Sequence, residues 1–345
     1  MRRLSRFDKI IYFLNVLAMV LLLAACFVPY ILSEKFSFLS FLGLGIPALV
    51  VANILFVLYW VIQGSRNLLG SLVILLISFW SLGTFFKWNF TEEGAIGDLT
   101  VMSYNVRSFN AYEELPSETV LEDIKSFVQK ENPDIICIQE PFYNYNFNTS
   151  DEFKSYPYRY MEYIHMRGIG LMAIFSKFPI LETGLLNLPR TNSNAVFADV
   201  QYKKDTVRIY NVHLESLGIT PGQGVLTNEP TDKLFKQVSH AFYKQVEQAK
   251  VIGRHLEASP YKNILCGDFN NGQYSNVYRT IKGNLQDTFL EAGKGYGRTY
   301  VFHGIPFRID FIFADAFFEV KSHTTYDVEY SDHFPIMASF ELGSE

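Results

Sequence analysis

Three uncharged apolar runs, residues 10–33, 36–64 and 67–86, occupy the first quarter of the chain and limit what it can fold into. Each reaches the roughly 18–20 residues needed to cross a hydrocarbon core about 30 Å thick. Only the links SEKF (33–36) and GSRN (64–67) separate them, which sets the runs side by side as antiparallel helices. Tyr59, Trp60, Trp80 and Trp88 fall near run ends, where interfacial aromatics gather. As core helices of a soluble protein, three such runs in tandem would need far more protein around them. The expectation is a three-helix transmembrane anchor over residues 1–87, with spans at about 10–32, 37–63 and 68–86.

Basic residues give the orientation. The tail MRRLSRFDK carries four Lys/Arg and the second link carries Arg66, whereas the first link has only Lys35. The bias puts the N-terminus and the second link in the cytoplasm. Three crossings then place the remainder on the exoplasmic side, so the chain reads as an integral protein of a bacterial inner membrane with a periplasmic C-terminal domain. Residues 23–26 (LAAC) resemble a lipoprotein cleavage box. However, the apolar continuation FVPYIL stands where lipoproteins run into a polar tether, and a Cys inside a helix needs no such explanation.

Beyond the runs the composition reverses. Residues 87–345 hold 24 of the 30 Lys/Arg and 33 of the 35 Asp/Glu, a net charge of −9. An acidic domain is a poor non-specific partner for nucleic acid, whose affinity comes from cationic neutralisation of phosphates. Three cysteines exclude a disulfide framework. Cys137 and Cys266 sit in strand patterns and read as buried, inert thiols.

A polar linker (88–98) leads into alternating elements. Strand patterns occur at 99–106, 134–139, 170–176, 196–202, 206–213, 263–267, 308–314 and 334–340. Residues 117–131 and 232–256 have helical spacing. Strands joined by both hairpins and helices indicate mixed sheets.

Polar residues recur at the ends of these strands. Asn105 follows LTVMSY, Glu140 follows DIICIQ and His213 follows VRIYNV. Asp268 and Asn270 follow NILCG, Asp310 opens DFIFAD, and Asp332 and His333 precede FPIMASF. Taken singly, each has a dull explanation as a cap or a solvated strand end. Together they are four carboxylates, two histidines and two asparagines, and carboxylates are costly to gather without a cation. A hard ion such as Mg²⁺ would satisfy them and keep positions open for phosphate oxygens. The set points to metal-assisted phosphoester hydrolysis.

The motifs MSYNVR (102–107), IQE (138–140), GIGLMAIFSKFPI (168–180), NVHLES (211–216), CGDFNN (266–271), RTY (298–300), RIDFIF (308–313) and SDHFPI (331–336) occur in one order along 99–340. In order and spacing they resemble the endonuclease/exonuclease/phosphatase superfamily, which includes pancreatic-type deoxyribonucleases, apurinic endonucleases, neutral sphingomyelinases and inositol polyphosphate phosphatases. The resemblance implies an α+β catalytic domain over 99–345: a four-layer α/β/β/α sandwich of two packed mixed sheets, preceded by the transmembrane region. Its site would lie at one edge of the sandwich.

By the same resemblance, Glu140 is the principal Mg²⁺ ligand, with Asn105 and Asp332 beside it in the metal shell. Mn²⁺ is a substitute, and one or two ions fit the pattern equally. Asp268 aligns and deprotonates the attacking water, and Asn270 fixes that water or a phosphate oxygen. His213 and His333 grip the phosphate, Asp310 orients His333, and Asn105 also touches substrate. The acidic partner that deoxyribonucleases give the His213 position has no counterpart in GLMAIFS (170–176).

Two loops are peculiar to this chain: 141–153, which is aromatic and nearly uncharged, and 217–231. Aromatics there could stack on bases, meet a lipid interface or pack on the sandwich. The favoured reading is a membrane-anchored Mg²⁺-dependent phosphoesterase acting on a lipid head group or small phosphodiester. Its partners are that substrate and the bilayer, with no obligate protein partner evident. A membrane-tethered nuclease acting on DNA is the alternative, and a non-catalytic binding module a more distant one.

Overall fold

The computed structural model describes residues 5–31, 40–88, 97–111, 119–144, 147–162, 172–189, 193–219 and 231–343. The chain divides into two compact units: Met1–Phe85 with Tyr274–Arg279, and Phe86–Gln273 with Thr280–Glu345.

The first unit holds helices α1 (Arg6–Ala25), α2 (Ser40–Ile62) and α3 (Leu68–Leu82). Ser5 starts α1 with a capping box: its hydroxyl accepts from the Asp8 amide, and the Asp8 carboxylate accepts from the Ser5 amide. Two stretches, Arg6–Tyr30 and Ser40–Ile62, are long and apolar enough to cross a membrane. The third expected span is corrected. Its helix has 15 residues, a rise of about 22 Å against a core of about 30 Å. Gly83, at φ +82°, caps it, so the apolar residues 83–86 leave the helix. The first link, Arg2, Arg3 and linker residues 89–96 lie outside the described residues.

These helices turn their apolar side chains outward. Ile62 is 83% exposed and Trp80 89%, while Asn15, Asn53, Ser71 and Ser78 are buried. Asn15 joins all three helices: its Nδ2 donates to Ser71 Oγ (2.6 Å) and its Oδ1 accepts from Trp60 Nε1 (2.9 Å). Farther along, Ser81 Oγ of α3 donates to the Cys26 carbonyl at the end of α1 (3.2 Å).

The second unit contains two packed, mixed six-stranded sheets. In chain order the strands are β1 (Leu99–Asn105), β2 (Ile135–Gln139), β3 (Tyr143–Asn144), β4 (Phe147–Asn148), β5 (Tyr158–Glu162), β6 (Met172–Ser176), β7 (Ile180–Leu186) and β8 (Asn194–Tyr202). They continue with β9 (Asp205–His213), β10 (Lys262–Asp268), β11 (Gln286–Asp287), β12 (Tyr300–Phe302), β13 (Ile305–Phe307), β14 (Asp310–Ala314), β15 (Phe318–Thr325) and β16 (Ile336–Leu342). One sheet runs β15-β16-β1-β2-β6-β5 and the other β11-β14-β10-β9-β8-β7, with β3-β4 and β12-β13 as separate hairpins. Helices are α4 (Val120–Glu131), α5 (Thr149–Glu152), α6 (Thr231–Glu257), α7 (Asn276–Lys282) and α8 (Thr288–Ala292).

Alternation along β1 builds two layers of core. Leu99 and Val101 enter the apolar cluster between the sheets, with Ile135, Ile209, Ile264 and Ile336. Met102 and Tyr104 face the other way and pack with Val120, Ile124, Phe127 and Val128 of α4. On the second sheet, Tyr210 of β9 turns outward, and its hydroxyl meets His255 Nδ1 of α6 at 2.8 Å. Central strands covered on both faces read as continuous apolar runs, which is why the sequence identifies them. β5, β7 and β15 escape that reading. Polar residues interrupt all three, β7 contains Gly184, and register shifts break the pairing of β7 and β15.

Candidate active site

The space between the sheets changes character toward the C-terminal ends of β1, β2, β9 and β10. Below lies the aliphatic cluster; one pleat higher, Ser103, Gln139 and Asn211 face one another, all buried. Gln139 Nε2 donates to Asn211 Oδ1 (2.6 Å) across the gap and to Ser103 Oγ (3.1 Å). Asn211 Nδ2 donates to the carbonyls of Ile138 and Ala173, both at 2.9 Å. A side chain of one sheet thus ties the backbone of the other.

Above this layer the parallel pairings put Asn105 beside Gln139 and Asp268 beside His213. Asn105 Nδ2 donates to Glu140 Oε1 (3.1 Å) and Asp268 Oδ2 (3.0 Å), bridging carboxylates from both sheets. His213 Nε2 lies 3.4 Å from Glu140 Oε1 and 3.7 Å from Asp268 Oδ2. Its Nδ1 is buried and has no hydrogen-bond partner among the described residues. Glu140 sits at φ +51° just past β2, and its side chain is 36% exposed, open to solvent and to a ligand.

His333 enters from the segment before β16, bridged to Tyr300. Its Nδ1 lies 3.0 Å from Asp310 Oδ2 and its Nε2 3.6 Å from Asp268 Oδ2. Burial alone disfavours its charged form, but the Asp310 and Asp268 carboxylates outweigh that and hold His333 well above its usual range. Burial also pushes the Asp310 carboxyl up to about 6, opposed by the His333 charge. Near neutral pH the pair is an imidazolium held by a carboxylate.

The remaining sequence candidates are placed as follows. Asn270 (φ +48°) donates its backbone N–H to Asp268 Oδ1 (2.7 Å) and its Nδ2 to the Leu214 carbonyl (3.1 Å). Asp332 is paired with the Arg107 guanidinium, and its other oxygen accepts from Ser331 Oγ (3.3 Å). Loops 141–153 and 217–231 fall partly, at 145–146 and 220–230, outside the described residues.

Two residues at the site were not singled out by sequence reasoning. Arg107 opens a turn in which Arg107, Ser108, Phe109 and Asn110 all have positive φ, from 42° to 61°. Left-handed backbone costs roughly 1–2 kcal/mol per non-glycine residue, and such strain gathers at functional sites. No glycine marks this turn, so the sequence gives no signal of it. Tyr300 stacks on His333 with ring centroids 4.9 Å apart. Burial and the nearby Asp332 raise its hydroxyl to about 12, keeping it a hydrogen-bond donor. The RTY motif carried that signal.

The donor set fits a hard cation. Glu140 and Asp268 present oxygens to one amide, with Asp332 four residues before β16, and such oxygens suit Mg²⁺-like ions. Among the described residues, Asp268, Asp310 and His333 converge within 4.8 Å. Within that trio His333 Nδ1 faces Asp310.

The profile described as Endonuclease/Exonuclease/phosphatase family matches residues 102–333, and a domain of unknown function matches residues 8–85. No curated protein matches the chain. Among solved structures, an endonuclease/exonuclease/phosphatase family protein from Bacteroides thetaiotaomicron is 20% identical, with a TM-score of 0.54 over 72% of this chain and 98% of that one. A mannosyl-6-phosphatase of Bacteroides thetaiotaomicron is 21% identical (TM-score 0.53; 70% and 99% covered). D. rerio TDP2 complexed with single-strand DNA product is 18% identical (TM-score 0.54; 70% and 98% covered). These likenesses establish the two-sheet fold.

Proposed function

We propose, from the premise that this chain belongs to the endonuclease/exonuclease/phosphatase family of phosphoester hydrolases, that it is a membrane-anchored, Mg²⁺-dependent phosphodiesterase acting on a lipid head group or a small phosphodiester. The observation that carries the reading is Asp268 Oδ2. One buried carboxylate oxygen faces the Asn105 amide, His213 and His333 together, between Glu140 and the Asp310–His333 pair.

Asp268 takes the proton of an attacking water, with its second oxygen fixed by the Asn270 N–H. His333, charged and steadied by Asp310, donates to a phosphoryl oxygen as negative charge grows there. His213 approaches the same oxygens from the other sheet. Glu140 would hold the Mg²⁺, joined by Asn105 once its amide, whose Nδ2 faces Glu140 and Asp268, turns its Oδ1 to the ion, and by Asp332 once Arg107 turns away to meet substrate phosphate. When bound, the ion supplies positive charge that polarises the phosphoryl group. Asn270 Oδ1 is left to orient the water.

For the anchor we propose the exoplasmic placement of the catalytic unit, which requires that α3, although its 15 residues fall short of a full span, return the chain to the side on which α1 ends. Its support is the four basic residues of the tail, Arg66 in the second link, and the bond from Ser81, in the last turn of α3, to the Cys26 carbonyl at the end of α1. Alkaline phosphatase fused after Glu345 should then be active in the periplasm; a reporter active only in the cytoplasm contradicts it.

Substrate class is tested by comparing the full chain with residues 95–345 on phospholipid vesicles and on a soluble phosphodiester, with Mg²⁺. A lipid substrate predicts faster hydrolysis of vesicles by the anchored form and similar rates on the soluble ester. The DNA reading has a separate signature: plasmid cleavage that falls steeply with added salt, without lipid hydrolysis. That outcome replaces the lipid assignment with a tethered nuclease.

A further inference from the structure

Helix α6 buries an apolar face through Val238, Phe242, Ala249 and Ile252, yet two glutamines on it, Gln245 and Gln248, are fully buried as well. A buried amide must be paired, and the partners of Gln245 lie beside the catalytic residues. Its Nε2 donates to the Glu215 carbonyl (2.6 Å) and to the Asn270 carbonyl (3.2 Å). Its Oε1 accepts from Asn271 Nδ2 (2.7 Å). Glu215 lies two residues after His213, and Asn270 two residues after Asp268. Gln248 adds one bond, accepting from the Glu215 N–H (3.0 Å).

The two segments are also joined directly, by the Leu214 N–H to the Asp268 carbonyl (3.0 Å) and by Asn270 Nδ2 to the Leu214 carbonyl (3.1 Å). Those bonds fix the segments to each other but not to the helix behind them. Among the described residues of α6, Gln245 reaches both segments.

We propose that Gln245 is a positioning residue of the phosphoester site: its amide locks the segment after His213 to the segment after Asp268, setting the carboxylate against the imidazole. The proposal rests on the hydrolase reading above. Glu140 and Asn105 belong to the other sheet, so the lock acts on the proton-transfer side of the site and leaves the ion side alone. Misplacing reacting groups by about 1 Å costs on the order of a hundredfold in rate.

The test uses the full chain in detergent and the variant Gln245→Met, which keeps volume and removes all three bonds. Turnover of bis(p-nitrophenyl) phosphate is followed against substrate and against Mg²⁺, with hydrogen exchange recorded in parallel. Lys250→Met, which removes an exposed ion pair on the same helix, is the control and should match wild type. We expect kcat to fall ten- to a hundredfold, with KM and half-saturating Mg²⁺ nearly unchanged. The amides of Glu215 and Asn270 should exchange faster, while β1 and β2 stay protected.

Unchanged kcat, or a loss matched by an equal shift in half-saturating Mg²⁺, overturns the proposal. So does unaltered exchange at both amides. A wild-type protein inactive on every phosphoester would refute the hydrolase reading instead; faster exchange confined to the two segments would then still establish the lock.

Discussion

In the N-terminal unit Ile62, Leu76 and Trp80 face outward and Asn15, Asn53 and Ser71 are buried, whereas the C-terminal unit buries Ile209, Ile264 and Phe340 and keeps its polar interior for one end of the sheet gap. On the proposed membrane anchoring, the difference follows from the solvent each surface meets. In water, apolar burial drives packing and buried amides persist only where fully bonded. In lipid, apolar side chains gain nothing by leaving the surface, so helices are joined by close packing and by a few polar contacts such as Asn15–Ser71. The same residue type, a buried Asn, therefore has different weight in the two units.

The largest effect belongs to the catalytic set, which should be separable from the anchor. Asp268→Asn should reduce kcat by roughly 10²–10⁴-fold while the protein remains in the membrane fraction, measured by turnover of purified and membrane-bound enzyme. Comparable activity of variant and wild type would remove Asp268 from the mechanism.

Next are the two buried asparagines. Asn211→Leu removes the side-chain donor to the Ile138 and Ala173 carbonyls in a dry interior, and leaves Gln139 Nε2 with Ser103 Oγ and the Cys137 carbonyl only. At about 1–3 kcal/mol for each unsatisfied group, unfolding of the 95–345 fragment should be easier by roughly 4 kcal/mol. Denaturant titration reads this directly. A loss below about 1 kcal/mol would mean that the polar layer does not hold the sheets.

His323 provides a pH test within the same unit. Burial holds it down at about 4, with Thr288 Oγ1 2.8 Å from its Nδ1. The unfolded chain binds that proton more readily, so the stability due to the neutral ring is full above about pH 6.5 and is lost as pH falls toward 4. His323→Asn should flatten that acid limb by on the order of 3 kcal/mol. Parallel limbs for variant and wild type between pH 7 and 4 would contradict the assignment.

The smallest effect sharpens the contrast. Asn15→Leu in the full chain, assayed by thermal unfolding in proteoliposomes, should cost about 1 kcal/mol, the usual scale for a polar contact between helices in lipid. A loss as large as that of Asn211→Leu would show that the N-terminal unit is packed like a water-soluble core.

Glu140, His213, Asp268 and His333 were legible in the sequence because each follows or precedes an apolar strand that a two-sided burial makes continuous. The family resemblance then supplied their roles. The turn at Arg107–Asn110 was not legible, because its positive φ values fall on residues with no glycine signature. Gln139 and Asn211 read as ordinary polar residues in strands; only the face-to-face packing of two sheets shows that they meet. The third span was overcounted because hydropathy measures a run of side chains, while Gly83 decides where the backbone stops being helical.

The central claim is a metal-dependent phosphodiesterase held in a membrane. Carbonate-washed membranes containing the full chain should hydrolyse bis(p-nitrophenyl) phosphate, lose that activity with EDTA and regain it as Mg²⁺ is titrated back. In Glu140→Gln membranes the same titration should saturate only at higher Mg²⁺. Activity that washes into the supernatant, or turnover that is indifferent to EDTA and Mg²⁺, would contradict the account.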